Sequence, residues 1–407
     1  MAQIAPWVRS GFNIVRPRGR FAGQIAMERD ADVRVRRLRA AAADRINERR
    51  RATRPKMRSL VASPGGRMRW RSIPTPPDPG PVGAVVHPIA IATCDMDRPI
   101  GLGHTPFPMP FCFGHECVAE VLRVGERVTS VKPGDRVVVP FQISCGECVM
   151  CRAGHTSNCT SVPPISMYGF GVIGGHWGGA VADELAVPFA DGMLVPLPEG
   201  IDPAAAASVA DNVSDAHRHI GPYLPTIFEE GREAEVLVFG AVSKRSPYTA
   251  SVPQYAALIA QGMGAARVTL ADARPDIRRQ AEALGIDTVD PADLGGPPTT
   301  PLVADISADP AGTQLAIERT APDGFCSSAG SLHPFTKAPI AAMFGRNVTL
   351  RVSRSDARAV IPEVLEMMVA GTLKPEMVTT QLEKIDDAAA ALERHMRGGE
   401  TKTILVE

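Results

Sequence analysis

The sequence predicts an α/β chain in two parts, a β-rich domain joined to a doubly wound parallel sheet, and three observations predict it. The chain has 407 residues at 44% hydrophobic content, more than one hydrophobic core usually serves. Strand and helix patterns alternate from "EVLVFG" (235–240) through "TPLVADIS" (300–307) to "DGFCSSAG" (323–330), as a parallel sheet with crossover helices requires. The region before them carries short strand-like runs such as "ECVAEVLRV" and "DRVVVP", separated by glycine and proline. The resulting map is a basic extension over 1–56, a β-rich domain over 57–212, an α/β domain over 213–350, and a return to the first domain over 351–407.

The extension differs in kind from the rest. It holds 14 Arg and one Lys against five acidic residues, a net +10 that the remaining chain cancels. The composition is read as a solvated extension rather than a helix that touches nucleic acid or membrane. No apolar run approaches the ~18 residues needed to cross a bilayer. Late in the chain "ARAVIPEVLEMMVAGTLKP" (357–375) reads as an amphipathic helix stopped by Gly371, with Pro375 beyond.

Four of the eight cysteines fall within fifteen residues, in "CGECVMCRAGHTSNC". Cys145, Cys148, Cys151 and Cys159 make a C-x2-C-x2-C-x7-C pattern whose sulfurs can converge on one tetrahedral ion. Four thiolates leave no open coordination position, so a zinc here is structural; the spacing differs from the usual ferredoxin patterns. With no secretory leader ahead of them, metal-bound thiolates in a reducing cytoplasm are expected over a disulfide framework. A second candidate site is open. "ATCDMD" and "GHE" place Cys94 and His115 about twenty residues apart in interruptions of strand-like sequence, and catalytic zinc wants three protein ligands and one free position.

In its surroundings, "FGHECVAEVLRVGERVTSVKPGDRVVVP" followed by the four-cysteine lobe resembles the zinc-containing medium-chain alcohol dehydrogenases over about Met57–Glu407. Within them it is similar to the branch with the formaldehyde dehydrogenases and actinobacterial alcohol dehydrogenases. The resemblance implies a GroES-like β-barrel catalytic domain and a Rossmann cofactor domain. It also implies two zincs, one catalytic and one structural, and NAD as cofactor. Cys94 and His115 match the family's first two ligands, Glu116 its carboxylate beside the metal, and Asp211 in "ASVADNVSDAHRHIGP" the third ligand. Asp215, His217 and His219 compete for that last place, and Asp211 could instead cap a helix. The position that begins the family's proton relay is Met96, which cannot carry a proton. Asp95, Asp97 or water would have to replace it. His104 reads as a surface-loop histidine, and His176 and Trp177 fall near the expected substrate pocket.

The cofactor loop is the anomaly. A dinucleotide turn needs glycines for the tight turn, for close approach to the diphosphate and for helix packing. In "FGAVSKRSPYTASVPQYAALIAQGMG" only Gly240 remains, with Pro253 where the last motif glycine belongs. Lys244 and Arg245 lie within the altered loop and could contact phosphate as charges. Asp272 ends the next strand, where a carboxylate accepts from a ribose 2′-hydroxyl, so NAD is favoured over NADP, whereas Arg274 would suit NADP. Lys402, in "GGETKTILVE", matches a family residue that contacts the cofactor phosphates.

The expected activity is hydride transfer between a zinc-bound alcohol or aldehyde and NAD, in a cytoplasmic homo-oligomer, dimer or tetramer, with a small-molecule substrate and neither membrane nor nucleic acid as partner. The alternatives are an impaired or non-catalytic member acting as a binding protein, and a sugar-alcohol dehydrogenase of the same fold.

Overall fold

The computed structural model describes residues 54–105, 107–330 and 336–407. Residues 1–53 of the basic extension lie outside them.

The parallel strands form first in the argument because their sequence leaves them no exposed face. β9 (Glu235–Phe239) buries four successive apolar residues, Val236 to Phe239, as a strand covered on both sides must. It lies at the centre of a six-stranded parallel sheet. β10 (Arg267–Ala271) and β11 (Asp287–Val289) extend it on one side, and β12 (Thr300–Asp305), β13 (Thr320–Ser328) and β14 (Thr349–Val352) on the other. The chain leaves β9 toward β10 and then crosses to β12, so the strand order reverses at β9. Ligands of such sheets bind at the carboxyl ends beside that reversal, which here is Phe239–Gly240.

The second lobe is antiparallel. β1 (Lys56–Ser63) pairs with β2 (Arg67–Pro74) and β4 (Phe111–Cys112). A seven-stranded sheet is built around β3 (Ala84–Ala92), β5 (Glu116–Val124) and β6 (Arg136–Val139), with β7 (Leu185–Val187) and β8 (Val195–Pro196). β15 (Gln381–Lys384) and β16 (Thr403–Val406) complete it, so the last strands of the chain return to the lobe that the first ones began. The expected amphipathic helix spans Ala357–Val369 and ends before Gly371, which has a positive φ of 72°.

One hydrophobic core runs continuously between the lobes. It joins Val236, Val238 and Leu302 of the parallel sheet, Tyr255 and Ile259 of the helix Ser251–Gly262, and Ala90, Val118 and Val138 of the antiparallel sheet. A second core, including Leu60, Val86, Phe113, Val139 and Tyr168, fills the antiparallel lobe. Among the described residues no helix is long and apolar enough to cross a membrane.

Candidate functional site

β3 and β5 are antiparallel with Ala92 opposite Glu116, so Cys94, two residues past the end of one strand, meets His115 and Glu116 at the start of the other. Asp211 arrives from the far side, between a 3-10 turn (Ala207–Ala210) and the helix Asn212–His217. It stands at the N-cap position of that helix, but its carboxylate makes no capping hydrogen bond. It turns to the cluster instead. One ligand atom from each of Cys94, His115, Glu116 and Asp211 lies within 4.8 Å of the others, and all four residues are buried. Asp211 Oδ2 is 3.3 Å from His115 Nε2. The competing residues are engaged elsewhere: Asp215 pairs with Arg218 at 2.6 Å, His217 Nε2 lies 3.3 Å from Glu363, and His219 Nδ1 lies 2.9 Å from Ser327 Oγ.

Charge and valence argue that a cation belongs here. Burial, then the carboxylates of Asp211, Glu116, Asp97 and Asp95, push the Cys94 thiol well above its ordinary pKa. Without a cation that thiol stays protonated. Glu116 Oε1 is buried without a hydrogen-bond partner, a costly state for a polar atom, and His115 Nε2 has only the Asp211 carboxylate beside it. A cysteine sulfur, an imidazole nitrogen and carboxylates, all converging in one buried space, match the donor set of zinc.

The surrounding groups hold these donors in place. Asn212 Nδ2 donates to Cys94 Sγ at 3.2 Å and to Asp211 Oδ2 at 3.1 Å, and its Oδ1 accepts from Ser251 Oγ at 2.9 Å. The Cys94 amide donates to Asp97 Oδ2 at 2.9 Å. Asn212 was not foreseen; only its adjacency to Asp211 in the sequence hints at it. Lys402 requires a correction. It is fully buried, and its ammonium donates to Glu116 Oε2 at 3.0 Å, to Asn212 Oδ1 at 2.8 Å and to the Thr93 carbonyl, not toward a phosphate site. The physical reason is Glu116, a fully buried carboxylate that needs a nearby positive charge. Burial, the largest single effect, would lower the pKa of Lys402, but Glu116, Tyr255, Cys94 and Asp95 together more than offset it and the pKa is raised.

The four-cysteine lobe closes on itself. None of the eight cysteines is in a disulfide, and one sulfur from each of Cys145, Cys148, Cys151 and Cys159 falls within 4.8 Å of the others. Amide and hydroxyl groups converge on the sulfurs: Cys148 N and Ser161 Oγ donate to Cys145 Sγ at 3.3 and 3.2 Å, and Cys145 N donates to Cys159 Sγ at 3.3 Å. The hydroxyl and then the amides about Thr160 and Cys151 draw the Cys148 thiol down to about 5. Such bonds favour thiolates, the form that binds metal.

At the cofactor loop the expected residues are brought together but turned inward. A Cβ on Gly240 would stand 2.3 Å from Asp272 Oδ2, so only glycine lets that carboxylate approach the turn. Asp272 is fully buried, and its acceptor positions are filled. Ala241 N donates at 2.9 Å, and Arg274 donates through Nε at 2.9 Å, Nη2 at 2.8 Å and its amide at 2.9 Å. The expected ribose contact at Asp272 is therefore covered by Arg274, because a buried carboxylate takes the nearest bidentate partner. Lys244 and Arg245 line a cavity of about 240 Å³ together with Arg98 and Arg274. Arg274 Nη1 donates to the Tyr248 carbonyl at 2.6 Å, and Arg98 Nη1 reaches the Ser246 and Pro247 carbonyls at 3.5 and 3.4 Å, pinning the loop. Met96 is half-buried, while His104 and His176 are exposed.

Comparison with known proteins agrees with this fold. The family model for the alcohol dehydrogenase GroES-like domain matches residues 80–199. A probable zinc-binding alcohol dehydrogenase of Mycobacterium tuberculosis is 30% identical over 341 residues, 82% of this chain and 84% of that protein. A glutathione-independent formaldehyde dehydrogenase of Bacillus subtilis is 33% identical over 213 residues, 51% of this chain and 49% of its own length. The alcohol dehydrogenase TADH of Thermus sp. ATN1 superposes with a TM-score of 0.76 at 27% identity, covering 86% of this chain and 99% of that one. With its GroES-like domain, its parallel-sheet Rossmann domain and two metal-sized donor clusters, the chain belongs to the zinc-dependent medium-chain alcohol dehydrogenases.

Proposed function

We propose that this chain transfers a hydride between a small alcohol or aldehyde and NAD at a zinc held by Cys94, His115 and Asp211, with Glu116 alongside. The buried cluster of four converging donors, one of them a carboxylate with an oxygen left without a partner, carries this reading. Zinc in this position supplies a Lewis acid toward an alcohol or carbonyl oxygen. The chain's own residues do the rest. Asn212 fixes Cys94 Sγ relative to Asp211, Asp97 fixes the Cys94 backbone, and Lys402 balances Glu116 so that the site does not carry an unpaired carboxylate. Asp97 is committed to the Cys94 amide, which leaves Asp95 or water as the carrier of the substrate proton. A second zinc held by Cys145, Cys148, Cys151 and Cys159 stabilises the lobe. The charge of Asp272 disfavours a 2′-phosphate once Arg274 turns aside, which supports NAD over NADP.

The same reading places the protein in the cytoplasm, where thiols stay available for metal, as a homo-oligomer. The edge strand β14 and the adjacent helix Ile340–Phe344 present Phe344, Ile340 and Val352 at 85%, 66% and 60% exposure, an apolar strand edge of the kind that pairs with another copy. A panel of alcohols and aldehydes assayed with NAD and with NADP tests the activity. Turnover with NAD is the expected result, and zinc-loaded protein that turns over no member with either cofactor would overturn the reading.

A further inference from the structure

Diphosphates are held by free backbone amides at a helix N-terminus. The helix beside the reversal of strand order, Ser251–Gly262, has none to offer in its first three positions. Pro253, the third, has no N–H. The amide of Ser251 donates to Asp95 Oδ1 at 2.9 Å and that of Val252 to Asp95 Oδ2 at 3.0 Å. The hydroxyls of Thr249 and Ser251 add two more hydrogen bonds to Oδ1, each of 2.6 Å. Asp95 comes from the other lobe, 156 positions earlier than Ser251, and is 8% exposed. An anion therefore already sits at the helix end, with the charge and the donors that a diphosphate would require.

We propose that Asp95 is a built-in occupant of the cofactor diphosphate position, and that a dinucleotide binds this chain only by displacing it. The inference rests on the reading of the chain as NAD-dependent and adds the residue that controls access to that site. The geometry provides a destination for the incoming charge, because the cavity next to this helix end is lined by Arg98, Lys244, Arg245 and Arg274 against Asp276 and Glu400. It also makes Asp95 a latch between the lobes, since its carboxylate ties the β3–β5 end of one lobe to a helix of the other. Release of the latch frees two amides and removes a like charge from the path of the phosphates.

The test uses the zinc-loaded full chain and calorimetric titration with ADP-ribose, NADH and adenosine, in the natural protein, Asp95→Asn and Asp95→Gly. Neutralising a carboxylate at a helix end removes the repulsion, so ADP-ribose and NADH are expected to tighten on the order of tenfold in Asp95→Asn. They should tighten further in Asp95→Gly, which also frees the amides. Adenosine, which lacks a diphosphate, should bind all three proteins equally. ADP-ribose that binds the natural protein and both variants alike would overturn the role of Asp95 while leaving NAD dependence standing. Absence of ADP-ribose and NADH binding in all three would overturn both. Equal tightening of adenosine would mean that the loop has merely loosened and would also overturn the proposal. Circular dichroism and zinc content establish folding; Asp95→Asn keeps an acceptor for the Ser251 amide and decides the question if the glycine variant does not fold.

Discussion

Replacing Lys402 by methionine removes a charge from the centre of the molecule at nearly constant volume. The ammonium is fully buried and serves Glu116, Asn212 and the Thr93 carbonyl. Deleting one partner of a buried ion pair costs about 3 to 5 kcal/mol, because the other charge is left uncompensated. For the compact unit Lys56–Glu407, roughly 350 residues, an unfolding entropy of about 2.1 cal/mol/K per residue gives about 0.7 kcal/mol/K. A loss of about 4 kcal/mol thus lowers Tm by about 5 °C. Scanning calorimetry on zinc-loaded protein measures this directly. The double variant Lys402→Met with Glu116→Gln should recover part of the loss, because a neutral amide tolerates burial better than a lone carboxylate. An unchanged Tm together with a raised KM for NAD would refute the argument, and would place the ammonium at the cofactor phosphates after all.

Two further predictions follow from burial and from the thiol cluster. His395, inside the helix Ala388–Arg397, is depressed from 6.5 to about 4, first by burial and then by Lys402. The unfolded chain takes up that proton first, so the contribution is complete above pH 6.5 and is lost as pH falls toward 4, by about 3 kcal/mol in all. In His395→Gln the urea midpoint should depend less on pH across that window; an unaltered dependence would show that this histidine is not the group responsible. Cys148→Ser should lose the structural zinc and several kcal/mol of stability, on the order of what metal binding contributes to small zinc lobes. Metal analysis and urea unfolding check it, and retention of the full zinc content would remove the basis for a four-thiolate site.

What could be read from the sequence follows the distance over which each feature is encoded. The four thiols of Cys145, Cys148, Cys151 and Cys159 share one short loop, so their spacing alone predicts convergence, and they do converge. The alternation of strand and helix from Glu235 to Ser328 is also local, and the six-stranded parallel sheet follows it. Asp211 was open to two readings because a residue just before a helix is ordinarily a cap; only the fold turns its carboxylate toward Cys94 and His115. The pairs Lys402–Glu116 and Asp95–Ser251 join residues 286 and 156 positions apart. No periodicity or motif encodes such meetings. The glycine-poor loop shows the same limit: its missing turn residues were visible, whereas the carboxylate that has taken their place at the helix end came from a different lobe.

The most direct test of the central claim is the zinc content per chain, measured by mass spectrometry in the natural protein and in Cys94→Ala, with alcohol-dependent reduction of NAD followed in parallel. The account predicts two zincs in the natural protein and one in the variant, which keeps the four-cysteine site and loses turnover. One zinc in the natural protein, or two in a variant that still turns over alcohol, would contradict it.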